Sequence, residues 1–228
     1  MMHFERVVPD EVEDGAPVLV LLHGRGSDER DLMELGSMLA PNAIVVTPRA
    51  PFPGAPWGYG PGWAWYRFLG GNRPEPESFG ASLAALDELI DALPAELPVR
   101  PGSILVGGFS QGGTLGMAYL LTHPGRVAGA LNFSGFLADH PMVEESLGAD
   151  PSGRIFWAHG TGDPNIPFSL AISGRSRLAE AGIAVEARDY EIGHWIAPDE
   201  VRNAAEWVGG VVDAGHEGAR GVKKQPGD

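Results

Sequence analysis

Near the middle of the chain, Gly107-Gly108-Phe109-Ser110-Gln111-Gly112-Gly113 sets one serine between two glycine pairs. A serine hydroxyl attacks a carbonyl well only when a base takes its proton and an acid orients that base. A nucleophilic serine also sits on a sharp turn, where the residues two before and two after it must lack bulk. Gly108 and Gly112 meet that need. With 33 glycines in 228 residues, chance alone can write G-x-S-x-G. A purely structural glycine turn is the competing reading, so the surroundings must decide.

A serine of this kind is followed in the chain by its acid and then by its histidine. Asp163 lies in His159-Gly160-Thr161-Gly162-Asp163-Pro164-Asn165-Ile166-Pro167, shortly after the apolar run Ile155 to Ala158. It reads equally well as a turn aspartate before proline. Asp139 and Asp150 fall in a stretch without clear pattern, and Glu180 and Glu186 read as helix and strand surface. Of the seven histidines, His3, His23, His123, His140 and His159 precede Asp163, and His216 sits in the C-terminal segment. His194, in Ile192-Gly193-His194-Trp195, follows the last strand pattern and takes the base's slot. The oxyanion of the tetrahedral intermediate needs N–H donors. The Gln111 N–H, next to the serine, is one. The turn His23-Gly24-Arg25-Gly26 after an early apolar run offers the Arg25 N–H as the other.

Such residues must be carried on a scaffold. The runs Val18 to Leu22, Ala43 to Val46, Ile104 to Val106, Val127 to Leu131 and Ile155 to Ala158 are nearly continuous in apolar residues, the pattern of strands buried on both faces. Residues 185–190 alternate, as an edge strand does. Between the runs lie helical patterns over Asp28 to Ala40, Ser78 to Leu93, Gln111 to Thr122, Phe168 to Ala181 and Pro198 to Val211. Alternation of strands and helices implies an α/β fold, a doubly wound and mostly parallel sheet with helices on both faces. Ligands of such sheets bind beyond the carboxyl ends of the strands. One domain over residues 1–211 is expected, followed by a flexible tail at 212–228.

The segment 51–71 collects Phe52, Trp57, Tyr59, Trp63, Trp65, Tyr66 and Phe68. It reads both as packing that pins a long loop and as one wall of an apolar pocket, with Trp57, Trp63, Trp65 and Tyr66 as the substrate-contact candidates. The absence of cysteine excludes disulfides, thiolate metal sites and a cysteine nucleophile. A formal net charge of −14 argues against nucleic acid and anionic membranes as partners. No apolar run approaches a membrane span and the N-terminus shows no secretory pattern, so a cytoplasmic location is expected.

The motifs together, Leu21 to Leu32 (LLHGRGSDERDL), Thr47 to Pro51 (TPRAP), GGFSQGG, HGTGDPNIP and Gly193-His194-Trp195, resemble the phospholipase/carboxylesterase family of α/β hydrolases over about residues 15–210. The resemblance implies the α/β-hydrolase fold, a Ser110–His194–Asp163 triad, Arg25 and Gln111 as backbone oxyanion donors, and hydrolysis of esters or thioesters with no cofactor or metal. Two positions depart from the family pattern. Arg25 stands where leucine is common, which leaves a backbone donor intact. Trp65-Tyr66-Arg67 stands where eukaryotic thioesterase members often carry Trp-Tyr-Asp. The expectation is a serine carboxylesterase for small to medium acyl esters, with a homodimer left open. The other readings are a thioesterase or lysophospholipase for longer chains, and a non-catalytic binding protein on the same fold.

Overall fold

The computed structural model describes residues 2–148 and 153–221. Seven strands form the central sheet: β1 (Phe4–Val7), β2 (Ala16–Leu22), β3 (Ile44–Pro48), β6 (Pro101–Phe109), β7 (Gly129–Phe133), β8 (Arg154–Gly160) and β9 (Ala184–Tyr190). Their order is β1-β3-β2-β6-β7-β8-β9. All neighbours are parallel except β1, which runs antiparallel to β3 at one edge. The alternating segment is indeed the opposite edge strand, β9.

The continuous apolar runs follow from burial on both faces. Val18, Val20 and Leu22 of β2 point into one layer and Leu19 and Leu21 into the other. The first layer is covered by α2 (Pro76–Glu96), α3 (Gln111–Thr122), α4 (Pro141–Leu147) and α5 (Phe168–Glu180). The second is covered by α1 (Met33–Leu39) and α6 (Pro198–Gly221). Each buried Val, Leu or Phe in these layers contributes roughly 1.5–3 kcal/mol relative to exposure.

The structure redraws several boundaries. Residues 28–32 form turns rather than the start of α1, because the Asp28 carboxylate accepts the Arg30 N–H at 2.9 Å and competes with helix. α6 continues to Gly221, so the expected domain end at Val211 falls inside a helix. Ala214, Glu217, Ala219 and Arg220 are good helix formers, and loss of an apolar stripe does not end a helix. Residues 222–228 of the expected tail, the side chain of His216 and Asp150 lie outside the described residues. Strand β1 escaped the pattern because four residues, Phe-Glu-Arg-Val, carry too short an alternation. Within segment 51–71, β4 (Phe52–Pro53) pairs with β5 (Trp63–Ala64) as a small separate hairpin. Among the described residues, no helix is long and apolar enough to cross a membrane.

Candidate active site

Strand β6 ends at Phe109 and α3 begins at Gln111, leaving Ser110 alone to make the turn. Its φ of 55° and ψ of −113° lie in a region that side chains avoid. The surroundings hold it there: its N–H donates to the Phe133 carbonyl at 2.8 Å, and its carbonyl accepts from Thr114 at 3.0 Å. A side chain at Gly108 or Gly112 would run into the Leu22 carbonyl. Those glycines therefore serve close contact between the turn and the end of β2.

Asp163 and His194 arrive on the loops after β8 and β9, at the same end of the sheet. His194 Nδ1 lies 2.6 Å from Asp163 Oδ2, and Nε2 lies 3.0 Å from Ser110 Oγ. A carboxylate only accepts, so the proton sits on Nδ1 and Nε2 is free to accept from the serine hydroxyl. The His194 ring packs against Phe109, with centroids 4.7 Å apart. The two readings of Asp163 turn out to be compatible, one per oxygen. Oδ1 accepts the Asn165 and Ile166 N–H groups at 2.8 and 2.9 Å and builds the turn, while Oδ2 faces the histidine. Its side chain is wholly buried.

The loop after β2 passes beside the turn. Gly26 has φ of 81°, and a side chain there would collide with the Tyr59 carbonyl. Among the described residues, the Arg25 and Gln111 N–H groups have no acceptor. His23 is buried. Its Nδ1–H donates to the Gly24 carbonyl at 2.8 Å and its Nε2 accepts the Ala50 N–H at 3.1 Å. Burial holds its pKa below the ordinary value, consistent with this neutral form.

A cavity of about 330 Å³ opens over Ser110 and His194. Its apolar lining is Tyr66, Phe68, Phe109, Phe136 and Ile166, and its polar lining includes Arg25, Ser27, Asp31 and Asn165. Of the four aromatic candidates, only Tyr66 lines it. Trp57 packs between Phe52 and Tyr59 on the hairpin. Trp63 lies under Arg49. Trp65 is fully buried, against His23, and its indole N–H donates to the His23 carbonyl. Phe68 was in the aromatic segment but not among the candidates. Phe136 and Ile166 come from separate loops; nothing in its local sequence marks Phe136, and Ile166 sits in the Asp163 segment without its apolar side chain standing out as a lining residue.

Two further buried acids escaped the sequence reading. Glu29 is held down to about pKa 2 by the Arg49 guanidinium, which donates to both of its oxygens. His3, Glu5 and Glu29 lie close enough to share a cation, yet Arg49 already occupies the Glu29 carboxylate, so this trio is a poor metal site. Glu200, at the start of α6, is pushed up to about 7 by burial, partly offset by the Ala197 N–H on Oε2.

A mostly parallel sheet with Ser, Asp and His gathered on loops at its carboxyl ends defines an α/β-hydrolase fold. More narrowly, the profile of the phospholipase/carboxylesterase family matches residues 3–211, and the chain belongs to that family. A probable carboxylesterase of Oryza sativa subsp. japonica is 29% identical over 163 residues, 69% of this chain and 60% of that protein. Acyl-protein thioesterase 1 of Saccharomyces cerevisiae is 26% identical over 144 residues, 60% of this chain and 62% of that protein. The chain thus spans less than two thirds of either relative. The Bacillus cereus carboxylesterase structure superposes with a TM-score of 0.77 at 22% identity, covering 92% of this chain and 95% of that one, which is a likeness of fold.

Proposed function

We propose that the protein is a serine carboxylesterase for small to medium acyl esters. The observation that carries this reading is the continuous hydrogen-bonded line from Ser110 Oγ through His194 to the buried Asp163 carboxylate. In the proposed cycle, His194 Nε2 takes the serine proton as Oγ attacks the ester carbonyl. Asp163 keeps the ring in its tautomer and stabilises the imidazolium. The Arg25 and Gln111 N–H groups, free of other acceptors, receive the oxyanion. The alcohol leaves with the proton from Nε2, and water repeats the sequence on the acyl-enzyme.

The cavity supports the smaller substrates: about 330 Å³ is at the low end of the roughly 300–1,000 Å³ of ligand pockets. The yeast relative, named a thioesterase, favours a second reading, hydrolysis of acyl thioesters. Rates on p-nitrophenyl esters of two to sixteen carbons, beside one acyl thioester, separate the two. For the reaction class itself, Ser110→Ala should abolish ester turnover and fluorophosphonate labelling while the protein stays folded. Retention of wild-type turnover by that variant would refute the assignment. A folded wild type that takes no label would point to a binding protein instead.

A further inference from the structure

We propose that Glu29, Arg49 and Trp63 form a positioning clamp that holds the oxyanion loop, and with it the Arg25 N–H, in its working place. The proposal rests on the esterase reading above. None of the three residues lines the cavity.

The loop leaves β2 at Leu22 and meets no regular structure until α1 at Met33. It contains Gly24 and Gly26, so its backbone is costly to order. An oxyanion donor stabilises a transition state only when it is fixed beforehand, to a fraction of an ångström. Something must supply that rigidity.

The clamp holds the loop at two points beyond Arg25, Glu29 four residues on and Gly26–Ser27 directly after it. On the far side, Arg49 Nε–H donates to Glu29 Oε2 at 2.7 Å, and Nη2–H donates to Oε1 at 2.5 Å. This two-point fork fixes direction as well as distance. Arg49 directly follows β3, and its own N–H is tied to the His3 carbonyl at 2.8 Å. On the near side, the same guanidinium lies over the Trp63 ring, 5.0 Å from its centroid. The Trp63 main chain then exchanges two hydrogen bonds with the loop. Its N–H donates to the Ser27 carbonyl at 2.7 Å, and its carbonyl accepts the Gly26 N–H at 2.8 Å. Gly26 is the residue next to Arg25. One side chain just past a core strand thus grips the loop through the Glu29 carboxylate and through the Trp63 ring and main chain.

A purely stabilising device would not need this form. Apolar residues of similar volume often replace a buried ion pair without loss of stability. What they cannot reproduce is the fixed geometry. Lysine at 49 would keep the charge but lose the fork and the flat stacking surface.

The test compares wild type with Arg49→Met, Arg49→Lys, Trp63→Leu and the double variant Glu29→Leu/Arg49→Met. The double variant leaves no orphaned charge and guards against a misfolded single one. Hydrogen exchange of the Gly26 and Trp63 amides should accelerate at least tenfold in Arg49→Met and in the double variant. On p-nitrophenyl butyrate, kcat should fall ten- to a hundredfold with KM within threefold. Affinity for butylboronic acid, which forms a tetrahedral adduct on a reactive serine, should fall in proportion to kcat. Arg49→Lys should lie between. A folded double variant with kcat within twofold of wild type and unchanged amide exchange would overturn the clamp while leaving the esterase reading intact. A wild type inert toward both ester and boronate would sink the esterase reading, and with it the clamp's catalytic purpose, even if the amides loosened.

Discussion

The amide side chain of Gln111 bridges the serine turn to the aromatic loop: its Oε1 accepts the Trp65 N–H at 3.1 Å and its Nε2–H donates to the Tyr66 carbonyl at 2.9 Å. Gln111, which itself lines the cavity, thus uses its side chain to hold the loop that supplies Tyr66 to the same cavity. The amide serves both partners at once, because one is a donor and the other an acceptor, whereas an ionised carboxylate can only accept. Gln111→Glu keeps the acceptor and sets a carboxylate against the Tyr66 carbonyl. That variant should lose about 2–3 kcal/mol, and Gln111→Ala about 1–3 kcal/mol, from orphaned buried groups. Both should raise KM for a butyrate ester. Urea midpoints and steady-state kinetics read the two effects, and unchanged values in both would show that the bridge is idle.

Asp163 divides its oxygens between its own turn and His194, so under the proposed triad its two substitutions should separate. Asp163→Asn keeps an acceptor for the Asn165 and Ile166 N–H groups, yet favours the wrong histidine tautomer. Its kcat should fall about 10³–10⁴-fold with little change in melting temperature. Asp163→Ala should lose similar activity and a further 1–3 kcal/mol or so of stability. Equal stability of the two variants would count against the turn role, and more than a tenth of wild-type activity in the Asn variant against the triad role.

What could be read from the sequence was whatever backbone period or chain order encodes. The runs at Val18 to Leu22 and Ile155 to Ala158 mark central strands because both faces of the sheet are covered. Ser110, Asp163 and His194 were legible as ordered candidates because each follows a strand, and the fold brings their side chains into contact. The lining of the cavity was not. Phe136 and Ile166 reach it from loops far apart in sequence, and their apolar side chains look like any core residue. Trp63 and Trp65 stood out by type, but a large aromatic is as well suited to packing as to substrate. Here one lies against Arg49 and the other is buried against His23. The Glu29–Arg49 pair was invisible for the same reason, since twenty residues separate partners that meet only once β3 lies beside β2.

Phe68 and Trp57 offer a direct contrast between those two uses of aromatic residues. Phe68 is half-buried, lines the cavity and packs against Phe136 with centroids 5.9 Å apart. Phe68→Ala should enlarge the cavity, raise KM for the butyrate ester several-fold and shift the preferred acyl chain to longer lengths. Trp57 touches Phe52 and Tyr59 on the hairpin, outside the cavity lining. Trp57→Ala should leave the chain-length profile as it is, whatever it does to stability. Profiles on p-nitrophenyl esters from two to ten carbons check both, and a shift in Trp57→Ala matching that of Phe68→Ala would refute this division of roles.

Glu200 sets a pH dependence of stability in an unusual direction. Burial raises its carboxyl from an ordinary 4.5 to about 7. The folded state therefore holds a proton that the unfolded state has released between those two values. Stability contributed by this group is complete below pH 4.5, falls as pH rises toward 7, and is level above that. The total change is about 3 kcal/mol at most. Glu29 acts in the opposite sense and elsewhere: lowered to about 2 by Arg49, it costs stability only as pH falls below 4.5. The window from 4.5 to 7 thus isolates Glu200 from Glu29. Glu200→Gln keeps an acceptor for the Ala197 N–H at the start of α6 and cannot ionise. It should match wild type near pH 4.5 and exceed it by up to a few kcal/mol at pH 8. Urea midpoints of both proteins at pH 5 and pH 8 decide the matter. A wild-type advantage that grows toward pH 8 would mean that the carboxyl is charged and favourably paired there, contrary to its burial.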